Sequence, residues 1–364
     1  MKRALVVTTL MITIKGFLVP HIKHLEEMGY QVDLACNMKH GFYIEELKEN
    51  KWHHLSFTRN PFSINNLKSI AELQKIIRKR KYDMVHLHTP IAAFLGRFAA
   101  HTLGIKNIIY TAHGFHFYRG APFINWLIYY PLEWVAMRWT DKIITINQED
   151  FSRARRMAGN KTKVYKIDGV GLNLKKYSEG NREKVRKEFQ LSEKDFVVTI
   201  IGELNKNKNK IQLIKAIEIL EAKFKVLIVG NGPKEAELKE YVNLKGLEDR
   251  VKFLGIRMDI NDIIAASEVM VSMSYREGLP RNIMEGLAQG KPFVATNIRG
   301  NKDIIENNKN GYLVKVNDYI KTSKVIKKLE DKEIYRTMKE YNIEEVKKYS
   351  IHRILKEMEI IYRD

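Results

Sequence analysis

The sequence predicts an α/β protein made of two doubly wound parallel-sheet domains, and three observations predict it. The chain has 364 residues, about two domains at roughly 150 residues each. Short β-branched runs alternate with amphipathic stretches, and the alternation occurs twice. Between the two series lies a polar, aperiodic stretch that begins near Asp168-Gly169-Val170-Gly171 and extends to about Lys184. Strand–helix alternation implies parallel sheets with right-handed crossovers, whose ligands sit at the carboxyl ends of the strands.

In the first series, strands are expected at 4–9, 31–35, 84–87, 108–112 and 142–146, with helices such as 17–28 and 67–79 between them. Gly29 follows the first helix, where a left-handed cap residue is expected. The whole apolar run 4–14 reads as a buried first strand, because it is rich in Val, Thr and Ile and ends in Lys15-Gly16 without a small-residue cleavage site. In the second series, strands fall at 196–201, 225–229, 251–254, 269–272 and 292–295, alternating with helices at 211–223, 234–244, 260–267 and 284–289. The segment 342–362 is helical again, with Ile343, Val346, Ile354, Met358 and Ile361 available for one face. The domains are accordingly drawn at 1–170 and 171–341, with 342–364 as a C-terminal helix that packs back on the first.

The composition, 45% apolar, excludes a small disulfide scaffold and a disordered tail. The single cysteine, Cys36, can form neither an internal disulfide nor a cysteine zinc cluster, which points to a reducing compartment and hence to the cytoplasm. The stretch 121–139 is interrupted by Pro131, Glu133 and Arg138, so it falls short of the ~20 clean residues of a membrane span. The net charge is +20, of which +13 lies in residues 1–180. Such a field favours nucleic acid, an anionic membrane or a phosphorylated substrate, and does not choose among them.

The chemistry concentrates at Arg276-Glu277-Gly278-Leu279-Pro280-Arg281-Asn282-Ile283-Met284-Glu285. Following the strand at 269–272, Glu277 and Gly278 fall in a loop at a strand's carboxyl end, and Glu285 lies in the next helix. Gly278 allows close backbone approach, and the start of a helix favours an anion. A ligand with phosphate in its middle and hydroxyl-bearing rings at both ends fits this arrangement, with one carboxylate for each ring. The plainer reading makes Glu277 and Glu285 solvated carboxylates at a helix end.

Glu277, seven intervening residues and Glu285 form a pattern that resembles the signature of the retaining nucleotide-sugar glycosyltransferases of the group four family, which have the GT-B fold. The likeness is strongest to bacterial members that build capsule, exopolysaccharide and lipopolysaccharide. Further landmarks occur in order: the strand Asp83-Met84-Val85-His86-Leu87-His88, Thr111-Ala112-His113-Gly114, Gly202 to Lys208, Gly230-Asn231-Gly232-Pro233, Phe253-Leu254-Gly255 and Arg299-Gly300. The resemblance implies two Rossmann-like domains facing a deep cleft. It makes Glu277 the partner of the donor sugar's hydroxyls and Glu285 that of the ribose, with backbone around Gly278 and Leu279 on the diphosphate. Lys208, after the Gly202 turn, would stabilise charge on the leaving diphosphate, and Gly255, Ile256 and Arg257, with Gly230 nearby, would form the base pocket. His113 would stand beside the transferring sugar.

The chain also departs from the pattern. Glu203 stands where the family has a diphosphate-binding arginine, leaving Lys206, Lys208 and Lys210 to supply that charge. Thr8-Thr9 and a later Gly16 replace the usual Gly-Gly after the first strand, Asp168 replaces an asparagine, and Asp303 a glutamate. His86 and His88 share one face of a strand, but no third ligand stands near them in sequence, so no metal is expected. Asp259-Ile260-Asn261-Asp262 reads as helix capping rather than as a metal-binding triplet.

On the acceptor side, Gly16, His88, Phe115 and Arg119 are the candidates. The aromatic segment 115–139 reads either as a core helix with an irregular entrance or as a surface that meets a lipid-linked saccharide at an anionic leaflet. The sequence thus predicts a metal-independent transfer of a hexose or N-acetylhexosamine from a UDP-sugar, with no cofactor beyond that co-substrate. The enzyme is expected to be peripheral on the inner face of the cytoplasmic membrane. A nucleotide-sugar epimerase on the same fold is the rival enzyme. A nucleic-acid-binding protein is the rival class, against which stands the lack of a recognition helix, zinc module or RNA-binding aromatic motif.

Overall fold

The structure is a computed structural model that describes every residue except 40, 42, 59, 61 and 62. It divides into two compact units, Met1–Gly171 with Ile351–Asp364, and Leu172–Ser350.

The first unit is built on seven parallel strands: β1 (Lys2–Leu10), β2 (Tyr30–Asn37), β3 (Lys51–His54), β4 (Met84–His88), β5 (Ile108–Ala112), β6 (Lys142–Thr145) and β7 (Lys163–Lys166). Their order is β3-β2-β1-β4-β5-β6-β7, so the chain reverses direction across the sheet between β1 and β4. Leu5, Val7, Val85, Leu87, Ile108, Tyr110 and Ile143 from its strands lie in one buried cluster with residues of the flanking helices. The second unit repeats the plan with β8 (Phe196–Ile201), β9 (Phe224–Val229), β10 (Val251–Gly255), β11 (Val269–Ser272), β12 (Phe293–Thr296) and β13 (Gly311–Val314), in the order β10-β9-β8-β11-β12-β13. Its switch point lies between β8 and β11, and every strand pair in both sheets is parallel.

The strands absent from the expected set are β3, β7 and β13, and all three lie at sheet edges. Lys51–His54 and Lys163–Lys166 have exposed ends and half-buried centres, so they carry little of the apolar signal that marks an inner strand. The first apolar run is also shorter as a strand than expected. β1 stops at Leu10, and Met11–Thr13 and Ile14–Leu18 continue as helix, the latter a π-helical turn containing Gly16. Met11, Ile14 and Leu18 are buried in that helical run, so a run that reads as strand is satisfied at helical spacing. Gly29 takes the expected left-handed conformation with φ +87°.

The 342–362 segment is two pieces. Lys332–Glu345 is a helix of the second unit, while Ile351–Arg363 belongs to the first. Ile343 is consequently 42% exposed rather than part of one apolar face, whereas Ile354, Met358 and Ile361 are buried. Lys142 donates from Nζ to the Ile361 carbonyl at 2.9 Å, and the Tyr362 hydroxyl lies 3.1 Å from His86 Nδ1. The terminal helix therefore helps complete the first unit.

Candidate active site

In the second unit the loops after β8 and β11 meet where the strand order reverses, the position at which open α/β sheets bind ligands. Gly202 ends β8 with φ +138°, a conformation that a side chain would strain. A Cβ there would lie 3.4 Å from Lys208 Cε and 3.8 Å from Lys210 Nζ, so both lysines lie beside this glycine. The turn that presents Lys208 is held by its own backbone N–H, which donates to Asn205 Oδ1 at 3.0 Å. Tyr275 N donates to the Asn207 carbonyl at 2.8 Å, and Asn207 Nδ2 to the Arg276 carbonyl at 3.1 Å, tying the two loops together.

Across this junction Lys208 Nζ donates to Glu277 Oε1 at 2.6 Å, and the same oxygen accepts from Ser274 Oγ at 2.6 Å. Arg299 Nε donates to the Glu277 carbonyl at 3.0 Å. Gly300, with φ +84°, fits so closely that a Cβ would sit 2.7 Å from the Gly278 carbonyl oxygen. Gly278 and Leu279 lie half-buried in this loop.

The three lysines of the Asn-Lys run have different surroundings. Lys206 is exposed, Lys208 holds Glu277, and Lys210 is buried with no hydrogen-bond partner for its Nζ among the described residues. Burial, followed by the charge of Lys208, lowers the Lys210 ammonium to about 7, with Glu277 acting in the opposite direction. A buried cation without a counter-ion is costly, and an anion arriving beside it relieves that cost. Glu203 is exposed and accepts from Asn205 Nδ2 at 2.8 Å.

Glu285 sits on the helix Arg281–Leu287. Burial raises its carboxyl above the usual range, while Arg281, whose Nε is 3.6 Å away, and the Tyr177 hydroxyl act to lower it. Gly202, Gly230 and Gly255 gather at the ends of β8, β9 and β10: Gly230 N donates to the Gly255 carbonyl at 2.7 Å, and a Cβ on Gly230 would meet the Gly202 oxygen at 2.3 Å. Ile256 is 70% exposed. The Arg257 guanidinium is engaged by Glu188 at 2.6 and 2.8 Å and by Asp259 at 2.9 and 2.8 Å, which leaves that residue's backbone for any ligand. Asp259 precedes the helix Ile260–Ala266 without capping it, because its carboxylate is spent on Arg257 and Lys184.

In the first unit, His86 and His88 do share a face of β4, with ring centroids 4.2 Å apart. His88 Nδ1 is 3.1 Å from His113 Nε2, and His86 Nε2 is 2.8 Å from Thr111 Oγ1. Burial lowers His86 to about 3 and His113 to about 4, and holds His88 well below its ordinary value, so this chain of imidazoles is neutral at physiological pH. Phe17 packs against His113 at 5.0 Å between centroids. The Phe115 ring is buried on Phe117, while Arg119 and Gly16 are exposed.

Two adjoining cavities open near these residues. The smaller, of about 260 Å³, is lined by Thr9, Thr13 and Thr89 at the carboxyl ends of β1 and β4, together with Leu10. It shares Pro90, Ile91, His116 and Tyr129 with an apolar cavity of about 540 Å³. Thr89 has φ +65°, a strained conformation for a β-branched residue. Its hydroxyl is fixed by bonds to Thr9 N at 3.0 Å, Thr9 Oγ1 at 2.7 Å and the His88 carbonyl at 2.5 Å.

Sequence reading missed Ser274, Tyr177, Thr89 and the cavity-wall residues that lie before the aromatic segment 115–139. Ser274, three residues before Glu277, was the one within reach of the motif. Tyr177 lies too far from Glu285 in sequence for any spacing rule. Among the described residues no group of three or more His, Cys, Asp or Glu is arranged to hold a metal, and no helix is long and apolar enough to cross a membrane.

Comparison with known proteins agrees with this architecture. Residues 181–346 match the family described as glycosyl transferases group 1, and residues 7–147 the family described as glycosyl transferase 4-like. The chain is 35% identical over 372 aligned positions to EpsD of Bacillus subtilis (strain 168), described as a glycosyltransferase, covering 99% of this chain and 96% of that one. It is 32% identical over 269 positions to the UDP-Gal:alpha-D-GlcNAc-diphosphoundecaprenol alpha-1,3-galactosyltransferase of Escherichia coli, covering 71% of this chain and 69% of that one. The crystal structure of Anabaena Alr3699/HepE in complex with UDP matches with a TM-score of 0.82 at 21% identity, over 100% of both chains. Matched in both halves and related to EpsD along nearly its whole length, the chain belongs to the group four type of glycosyltransferases and has their GT-B fold of two parallel-sheet α/β domains.

Proposed function

We propose that this glycosyltransferase moves a hexose or N-acetylhexosamine, with retention and without a metal, from a UDP-sugar to a lipid-diphosphate-linked saccharide in bacterial surface-polysaccharide synthesis. The observation that carries the reading is the Lys208–Glu277 pair at the β8/β11 junction, with the unpartnered Lys210 ammonium beside it. Two cations at one glycine notch suit a diphosphate, and a carboxylate held by Lys208 and Ser274 suits the hydroxyls of an adjoining sugar. Lys208 then stabilises the charge that grows on the diphosphate as the glycosidic bond breaks. Lys210 takes the role left open by Glu203, because Lys206 points to solvent. Glu285 binds the ribose, the backbone at Gly278 and Leu279 the phosphates, and His113, as a neutral imidazole, a sugar hydroxyl.

The galactosyl donor and diphosphoundecaprenol acceptor in the name of the Escherichia coli relative, and the UDP bound by the Anabaena protein, support these substrate classes. A membrane site of action is supported by the helix Phe123–Met137, on which Phe123 is 79% and Leu127 59% exposed. Trp134 on the same helix carries the Arg138 guanidinium 3.8 Å from its ring centroid, a pairing suited to a headgroup boundary. The +13 of residues 1–180 adds attraction to anionic lipid.

The test is incubation with a panel of nucleotide sugars in the absence of acceptor, following release of free nucleotide. Slow hydrolysis confined to UDP-hexoses or UDP-N-acetylhexosamines is expected. Hydrolysis of guanosine donors instead would overturn the base assignment, and no binding of any nucleotide would overturn the donor site.

A further inference from the structure

We propose that the apolar cavity of the first unit is the seat of the acceptor's polyprenyl chain, with the adjoining threonine-lined pocket receiving its diphosphate end. The inference rests on the lipid-linked acceptor proposed above and assigns it a place. The cavity, about 540 Å³, is in the size range of pockets that enclose small ligands. Ile91, Phe94, Leu95, Phe115, Phe117 and Leu132 give it alkyl and aromatic walls.

Glu133 and Asn66, the carboxylate and the amide in those walls, already have partners. Glu133 is held by Arg97 at 2.6 and 3.1 Å, and the Asn66 amide binds Thr58 N and the Asn60 carbonyl at 3.0 and 2.8 Å. A nucleotide, a free sugar or an acidic peptide would meet no available charge there and would lose its hydration. A hydrocarbon loses nothing.

The two openings define the rest of the ligand. On one side the cavity continues through Pro90, Ile91, His116 and Tyr129 into the threonine-lined pocket at the β1/β4 switch point, where a polar headgroup fits. At the other, the wall residues Ile64, Leu67 and Leu132 are 79%, 65% and 42% exposed, next to the apolar surface of Phe123–Met137. An occupant with a polar head, an apolar body and a tail that leaves into an apolar phase satisfies both. A bilayer surface alone would cover the exposed helix and leave the cavity unfilled, which is why a single chain is favoured over general membrane contact.

The experiment uses the full chain and short soluble prenyl phosphates below their critical micelle concentration. Affinities for farnesyl phosphate, isopentenyl phosphate and inorganic phosphate are measured by calorimetry for the wild type and for Leu95→Trp, which fills the cavity. Leu132→Trp, at the half-exposed mouth, is the variant least able to disturb folding. UDP affinity is measured in parallel, because it reports on the other unit.

Each buried methylene is worth roughly fourfold in affinity, so farnesyl phosphate should bind the wild type at least tenfold tighter than isopentenyl phosphate. Inorganic phosphate should bind more weakly still. Both tryptophan variants should lose tenfold or more for farnesyl phosphate and nothing for UDP. Equal binding of farnesyl and inorganic phosphate, or farnesyl affinity unchanged in both variants, would overturn the proposal while leaving the donor reading intact. Failure to bind UDP alongside tight farnesyl binding would do the reverse.

Discussion

Lys208 Nζ and Glu277 Oε1 stand 2.6 Å apart, an ion pair between the loop after β8 and the loop after β11. The pair lies in a half-buried place, and it holds the ammonium at the strand ends rather than out in water. Replacing Lys208 by Ala removes a preorganised cation and leaves the Glu277 carboxylate to Ser274. The expected result is a fall in kcat of about two to three orders of magnitude, the scale seen when one charge-stabilising donor is removed. A fall confined to KM, with kcat intact, would mean that Lys208 binds the donor equally in ground and transition states.

Lys210 should behave differently. Lys210→Met removes a buried ammonium that has no partner, so the free protein should become more stable while UDP binding weakens tenfold or more. The sign with pH follows from its lowered value. Between about 7 and the ordinary 10.5, the unfolded chain holds a proton that the folded one has lost. The penalty is therefore full below about pH 7 and fades as pH rises towards 10.5. Thermal melts of wild type and variant should differ more at pH 7 than at pH 9; a variant that is less stable at both would refute the assignment.

Glu285→Gln should act on the nucleotide. A hydrogen bond to a charged group is worth about 1.5–3 kcal/mol, which converts to roughly 10- to 150-fold in UDP affinity. UDP bound as tightly as by the wild type would remove the ribose role.

Acid should destabilise the first unit earlier than carboxylate titration alone would. His86, His88 and His113 are neutral in the fold because burial lowers them, yet they take up protons near 6.5 when unfolded. Their contribution is intact above that value and is lost as pH falls towards the folded values. At pH 5 each of the three costs about 2 kcal/mol. Denaturant titrations at pH 7 and pH 5 check this, and removing the three histidines together should flatten the difference.

Chelation should leave the rate unchanged, since the proposed transfer assigns leaving-group stabilisation to lysine. Activity lost in EDTA and restored by magnesium or manganese would overturn the metal-free reading.

What could be read from the sequence follows burial. Inner strands such as 108–112 and 196–201 are predominantly apolar because both of their faces are covered, and their bounds agree with the structure. The edge strands β3 and β7 are half-wet and carry Lys and His, so nothing in their pattern marks them. The spacing of Glu277 and Glu285 and the position of Lys208 are local features and were legible as a motif. Lys210 is named with Lys206 and Lys208 but not set apart from them, because an Asn-Lys run has the same composition whether its lysines are solvated or, like this one, packed beside a glycine. His86 and Tyr362 are paired only through the return of the terminal helix, a relation that no local window contains.

That return has a consequence for how the chain is made. Tyr362, which bonds His86, and the Ile361 carbonyl, which receives Lys142, are translated only after the whole of Leu172–Ser350. At about 5–20 residues per second the ribosome spends roughly 10–40 s on that interval. During it the nascent first sheet lacks the Tyr362 partner of His86 on β4, and a chaperone has time to hold it. The second unit, contiguous in sequence, has no such wait, and it can finish folding before the one that precedes it.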